Sequence, residues 1–344
     1  MKAVVIHAAH DLRIEERPVS APSVGQVAIE LQVGGICGSD LHYYNHGGFG
    51  PIRLREPMVL GHEVAGKIIS IGTDVETFKP GQLVAISPSR PCNDCEYCLR
   101  GQQNHCFNMR FYGSAMPFPH IQGAFQQHLI ADAAQCVLAE GLSAGEAAMA
   151  EPLAVSLHAV RQAGDLVGKT VLVTGCGPIG ILTILAARRA GAGRIIATDL
   201  SDFTLQKAAE AGADVLCNIA SAPEALSRFS DGKGRVDVQF ECSGAASALH
   251  GGVSILRPGG ILVQLGLGGD MSIPMQSITA KEIMLKGSFR FHQEFAAAVE
   301  MMQKDLIDVK PLITHSVALE DAEAGFKVAS DREQAIKAQI IFAS

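Results

Sequence analysis

The segment TVLVTGCGPIGILTILAARR, residues 170–189, constrains the fold most tightly. A short apolar, β-branched run ends in Gly175-x-Gly177-x-x-Gly180. A helical apolar pattern follows at once, opened by Pro178 and Ile179. A short apolar strand that feeds a helix fits a sheet buried on both faces. The next segments supply those neighbours. RIIATD (194–199), DVLCNI, VDVQFECSG and GGILVQLG read as buried strands, and DFTLQKAAEAGA (202–213) reads as a helix. Strands alternating with helices predict a doubly wound parallel sheet, a Rossmann domain.

The glycines permit close approach of a pyrophosphate to the helix N-terminus. Asp199 ends the next strand, 24 residues after Gly175, where it can accept hydrogen bonds from an adenosine ribose. An acid there repels a 2′-phosphate, which favours NAD. NADP stays open as the second reading, as does a glycine turn with no ligand.

The chain has 344 residues, too many for one typical core, and 48% are hydrophobic against 18% charged. Two packed domains are expected. Residues 1 to about 150 read as β-rich, with alternating runs such as VAIELQV and EVAGKIISIG broken by Gly and Pro. Pro80-Gly81 is a turn feeding the strand LVAI. The expected division is residues 1–152, a domain 153–290, and a return to the first domain over 291–344. EFAAAVEMMQK (294–304) reads as a helix in the return, and KAQIIFAS as a terminal segment. A net charge of −7 argues against a nucleic-acid or anionic-membrane surface. Neither a secretory signal nor an uninterrupted membrane-length apolar run is present in the sequence, which predicts a cytoplasmic protein. Its nine cysteines then point to metal or catalysis rather than disulfides.

Four of them, Cys92, Cys95, Cys98 and Cys106, follow C-x2-C-x2-C-x7-C. Four thiolates on a short loop close a tetrahedral zinc site with no open position, a structural staple. An iron–sulfur cluster, a thiol-redox motif or unrelated thiols are the alternatives. The stretch CGSDLHYYNHGGFGPIRLREPMVLGHE, residues 37–63, offers Cys37, His62 and Glu63 as soft and borderline ligands. Glu151, in MAEPLAVSLHAV, is a distant candidate for the same site. Three protein ligands leave one position for water or a substrate oxygen. A lone Cys, His or Glu is more often structural, so the residues alone do not select this set. Tyr44, Asn45 and His46 read as plain loop, with a substrate contact for His46 as the alternative.

Cys37-Gly-Ser-Asp, Gly61-His62-Glu63, the four-cysteine lobe, Glu151-Pro152 and G-x-G-x-x-G, in this order, resemble the zinc-dependent medium-chain dehydrogenases. The resemblance covers essentially the whole chain. Glu151 marks the polyol, sorbitol-type branch. MRFYGSAMPFPH, AEPLAV and KGSFRF resemble the bacterial L-idonate 5-dehydrogenases within it. The resemblance implies a GroES-like catalytic domain beside the Rossmann domain, and a homotetramer paired through the Rossmann sheet edge. It implies one catalytic zinc on Cys37, His62 and a glutamate, with the shells of Glu63 and Glu151 left open, and one structural zinc. It implies that zinc lowers the pKa of a secondary hydroxyl and that hydride passes to NAD. Ser39 is matched to the relay hydroxyl that takes the proton, and His42 to its outlet to solvent. Tyr43 is matched to a pocket tyrosine of the polyol enzymes, and Arg290 to a polyol-pocket arginine that sorbitol-type enzymes also carry and that, in an idonate enzyme, would pair with the sugar-acid carboxylate. Phe111 and His120 are read as further pocket residues, with His120 a candidate carboxylate partner. Small polyols and sugar acids are the expected substrates. A neutral-polyol enzyme is the nearest rival, and a non-catalytic nucleotide-binding protein of the same fold the distant one.

Overall fold

The computed structural model describes residues 1–342, which divide into two compact units. The first comprises 1–151, 295–331 and the last segment from Lys337; the second comprises 152–294 and 332–336. The return to the first unit falls at Phe295 rather than Phe291, because Glu294 is tied to residues of the second unit. It pairs with Arg161 at 2.9 Å and His158 at 3.2 Å. The segment 332–336 also packs with the second unit, and Ser201 Oγ donates to Glu333 at 3.1 Å.

The first unit is built on a seven-stranded sheet. Its centre is the strand Gln26–Gly35, on which Val27, Ile29 and Leu31 are fully buried. That strand pairs antiparallel with Glu63–Ile71 on one side and with Lys337–Ile341 on the other. The register sets Gly35 opposite both Glu63 and Gln339. Three chain segments distant in sequence therefore meet at one end of the sheet: Cys37 just past the central strand, His62-Glu63 at the start of the second, and Lys337 at the start of the third. The core beneath is closed by Phe125, Phe326 and Phe342, all buried.

Cys37 is followed by a helix, Gly38–His46, and not by loop as read for residues 44–46. The turn chemistry explains it. The side chains of Cys37 and Asp40 form a reciprocal capping box, and Gly47 stops the helix in the left-handed region at φ 66°. Tertiary bonds then hold its last turn: Tyr44 donates to Glu323 at 3.2 Å, and Asn45 to Ser330 at 3.2 Å.

The second unit is a six-stranded parallel sheet. Its spatial order is Val215–Asn218, Arg194–Asp199, Thr170–Thr174, Val236–Glu241, Leu256–Gln264, Met284–Gly287. The order reverses between Thr170–Thr174 and Val236–Glu241, the position where such sheets open a crevice at their carboxyl ends. Gly177 caps the helix Pro178–Arg189 directly after the first strand. A Cβ on Gly180 would stand 1.8 Å from the Gly175 carbonyl oxygen, so the turn closes only because that position is bare. No helix among the described residues is long and apolar enough to cross a membrane.

Candidate active site and metal centres

The ligand atoms of Cys37, His62 and Glu63 lie within 4.8 Å of one another, on residues that are buried or nearly so. Local structure aims each of them. Asp40 is fully buried and braces both ligand loops, accepting the Cys37 N–H and the Gly61 N–H at 3.1 Å each. Gly35 leaves room for Glu63, whose carboxylate would be 2.2 Å from a Cβ there. Phe111 stands beside the site, its ring 5.5 Å from that of His62. Glu151 opens the helix Ala150–Ala163 and is only 5% exposed.

Lys337, to which the sequence reading gives no role, is the fixed cation of this site. It is 2% exposed and donates to both oxygens of Glu63, at 2.8 and 2.7 Å, and to the Ile36 carbonyl at 3.2 Å. All three ammonium protons are thus placed. Burial by itself pulls its pKa down, but the charges of Glu63 and Cys37 overcome this and raise it. The only sequence signal is a lysine heading an otherwise buried strand. Asp40 had a stronger one, the spacing of a capping residue three positions after Cys37.

The donor set fits a divalent cation. Burial, then the charge of Glu63, pushes the Cys37 thiol up to about 12. Burial pushes the Glu151 carboxyl up to about 8; the nearby His62 opposes this, and Glu63 and Cys37 add to it. His62 Nδ1 is buried without a hydrogen-bond partner; its nearest anion, Asp40, is 3.8 Å away, beyond bonding distance. One lysine does not balance this many buried acids. A bound dication would hold the thiol as thiolate and use the orphaned imidazole.

The four cysteines of the lobe form a second group with ligand atoms within 4.8 Å. Backbone N–H groups converge on its sulfurs. Those of Cys98 and Phe107 bring Cys95 down to about 6, while burial takes Cys98 up to about 12. Sulfurs that accept N–H bonds as they face one another suit tetrathiolate metal binding. All nine cysteines are free thiols.

Ser39 sits in the first turn of its helix, partly buried, and His42 is exposed one turn on, its ring 5.6 Å from Phe49. Tyr43 lies in the core at 2% exposure, its hydroxyl accepting the Ala115 N–H at 3.0 Å. His120 is a correction. Both ring nitrogens are committed to backbone, Nδ1 to the Pro117 carbonyl at 2.9 Å and Nε2 to the Arg55 N–H at 2.9 Å. That pairing fixes a neutral ring with one donor and one acceptor used, so His120 is a loop staple and not a carboxylate partner.

In the second unit Gly175 has φ 84°, and space beside Gly177 is open to 4 Å, the cradle a pyrophosphate needs. Asp199 braces this loop by accepting the Cys176 N–H at 2.5 Å, and it also takes Leu200 and Ser201 N–H groups. Arg290 follows the last strand with a left-handed backbone, φ 55°, its guanidinium 4.9 Å from the Phe289 ring.

Residues 23–141 match the alcohol dehydrogenase GroES-like domain, and residues 178–304 match the zinc-binding dehydrogenase domain. The chain belongs to the zinc-binding alcohol and polyol dehydrogenases, a family whose chemistry implies zinc and NAD(P). It is 42% identical to L-idonate 5-dehydrogenase (NAD(P)(+)) of Escherichia coli strain K12, over 91% of both chains. It is 37% identical to human sorbitol dehydrogenase, over 94% of this chain and 91% of that one. The crystal structure of L-idonate 5-dehydrogenase from Escherichia coli superimposes with a TM-score of 0.95 at 40% identity, covering 99% of this chain and 97% of the other.

Proposed function

We propose that this chain oxidises a secondary alcohol of a sugar acid with NAD, interconverting L-idonate and 5-keto-D-gluconate. The observation that carries the reading is the buried Cys37–His62–Glu63 set, braced by Lys337, in a chain 42% identical along 91% of its length to an L-idonate enzyme. Cys37, His62 and a glutamate, Glu63 or Glu151, would hold a catalytic zinc. Cys92, Cys95, Cys98 and Cys106 would hold a structural one. Bound at the first set, zinc supplies a Lewis acid that lowers the pKa of a substrate hydroxyl. Ser39 would accept the hydroxyl proton, and exposed His42 would release it to water. Phe111 would wall the metal site.

Arg290 would pair with the sugar-acid carboxylate through two parallel N–H bonds, as planar guanidinium does. Its left-handed backbone, unusual for a residue with a long side chain, supports a functional placement. The loop Gly175–Gly180, with Pro178 and Ile179, would take the pyrophosphate. Asp199 would take the adenosine ribose and disfavour NADP. Asp199→Ala is expected to weaken NAD roughly tenfold and to narrow its lead over NADP, a loss of the size that charged hydrogen bonds contribute; equal NAD affinity would remove Asp199 from the site.

Free thiols throughout support a reducing, cytoplasmic setting. The homotetramer is part of the same reading. The edge strand Met284–Gly287 leaves Met284 and Leu285 exposed, apolar residues on an unpaired strand edge that a second copy would cover.

The deciding experiment is NAD reduction by the pure protein with L-idonate beside D-sorbitol, xylitol and D-gluconate. Strong preference for L-idonate is expected. Preference for a neutral polyol would move the chain to the sorbitol-type reading and leave Arg290 as a hydroxyl contact.

A further inference from the structure

Glu241 is a buried carboxylate that the reaction does not use. It ends the strand Val236–Glu241, the first strand beyond the point where the sheet order reverses, and it is 0% exposed. Its Oε1 accepts the Ser243 N–H at 2.8 Å, the Ser243 hydroxyl, and the Thr174 hydroxyl at 3.4 Å. Its Oε2 accepts the Gly244 N–H at 2.9 Å and the Gln264 amide at 2.6 Å. These donors come from the ends of three adjacent strands. Backbone N–H and amide donors converge on both oxygens, an arrangement that suits a carboxylate. No lysine, arginine or histidine among the described residues forms an ion pair with it, in contrast with Glu63.

The surrounding loops are bare around this charge. A Cβ on Gly266 would stand 2.7 Å from Glu241 Oε2 and 2.1 Å from the Gly244 nitrogen. A Cβ on Gly175, in the phosphate loop, would stand 2.8 Å from Ser243. The carboxylate thus lies beneath the junction of the phosphate loop with the loops after the next two strands. A dinucleotide binds such a sheet in two halves across the crevice. With the pyrophosphate at Gly175–Gly180 and the adenosine ribose at Asp199, the other half extends over the Glu241 and Gln264 strand ends. The charge is felt locally: the Cys242 thiol is pushed up to about 12 by burial and then by Glu241.

We propose that Glu241 is a positioning and selectivity residue whose uncompensated charge makes the site hold oxidised, cationic nicotinamide more tightly than the neutral reduced ring. The five donors are neutral groups that fix the carboxylate without cancelling a net charge, so its field acts on whichever ring form is bound. The inference rests on the NAD(P) reading above. Its physical content is a ratio: removing the charge should weaken the oxidised cofactor relative to the reduced one, whatever happens to both.

The test is titration of the pure protein with NAD and with NADH by calorimetry, read as Kd(NADH)/Kd(NAD). Glu241→Gln keeps the shape and removes the charge, and the ratio is expected to fall roughly tenfold, the scale of one unit charge across a partly dry site. Gln264→Lys neutralises the same carboxylate from its partner's side and should lower the ratio likewise. Ser243→Ala removes a donor but keeps the charge and should leave the ratio within about twofold of the parent. Equal weakening of both cofactors in Glu241→Gln would reduce Glu241 to a structural brace and overturn the proposal. If that variant does not fold, an unchanged ratio in Gln264→Lys overturns it alone. A parent protein that binds neither cofactor would overturn the NAD(P) reading, and this inference with it.

Discussion

The two metal-competent clusters of the first unit are built in opposite ways. The four-cysteine lobe is local: its donors span residues 92–106, its sulfurs are steered by nearby backbone N–H groups, and no charged side chain is needed to balance it. The Cys37–His62–Glu63 cluster is assembled by the sheet register from two distant segments, and a third brings its buried cation, Lys337. Four thiolates alone close a metal's coordination, which suits a staple. A mixed set of three with a carboxylate held by a lysine would leave a position open on a bound metal and control where the remaining negative charge sits, which would suit chemistry.

Removing a ligand from each cluster should separate these roles most sharply. Cys37→Ser is expected to cut turnover by on the order of a thousandfold, since Lewis-acid stabilisation is worth several kcal/mol, with folding retained and bound zinc halved by metal analysis. Near-normal turnover would place the chemistry elsewhere. Next in size, Lys337→Met should cost about 3–5 kcal/mol in urea unfolding, because it strands a buried carboxylate. A negligible change would show that Glu63 finds compensation without a cation. Cys95→Ser should lower the melting temperature and also halve bound zinc, yet change kcat only a few-fold; a well-folded but inactive variant would contradict a purely structural lobe. Smaller than the Cys37→Ser loss of turnover, Glu151→Ala should reduce kcat by about 10–100-fold while cofactor titration stays as in the parent. Unchanged kcat would exclude Glu151 from the site.

The same contrast governs what could be read in advance. The glycine turn and its flanking strand and helix are consecutive in sequence, so periodicity and residue type expose them directly. So do the four cysteines. Cys37, His62 and Glu63 were reached through a resemblance, since no local pattern distinguishes a ligand from an ordinary buried residue. His120 shows the reverse failure. It is a pocket-like histidine in sequence, but its ring is spent on the backbone of Pro117 and Arg55, contacts that no spacing reports. Tyr44, Asn45 and His46 looked like loop because their polar character hides a helix held by tertiary bonds to Glu323 and Ser330.

By itself, then, the sequence determined the parallel Rossmann sheet, its glycine turn and the thiol lobe, because each is specified by neighbours a few residues apart. Only the tertiary structure decided that Lys337 pairs with Glu63, that Asp40 braces the loops of Cys37 and His62, and that Glu241 is buried with no ion pair among the described residues. Those facts depend on which strand ends the register brings together. A buried charge is balanced by whatever lies beside it in space, and sequence distance carries no record of that.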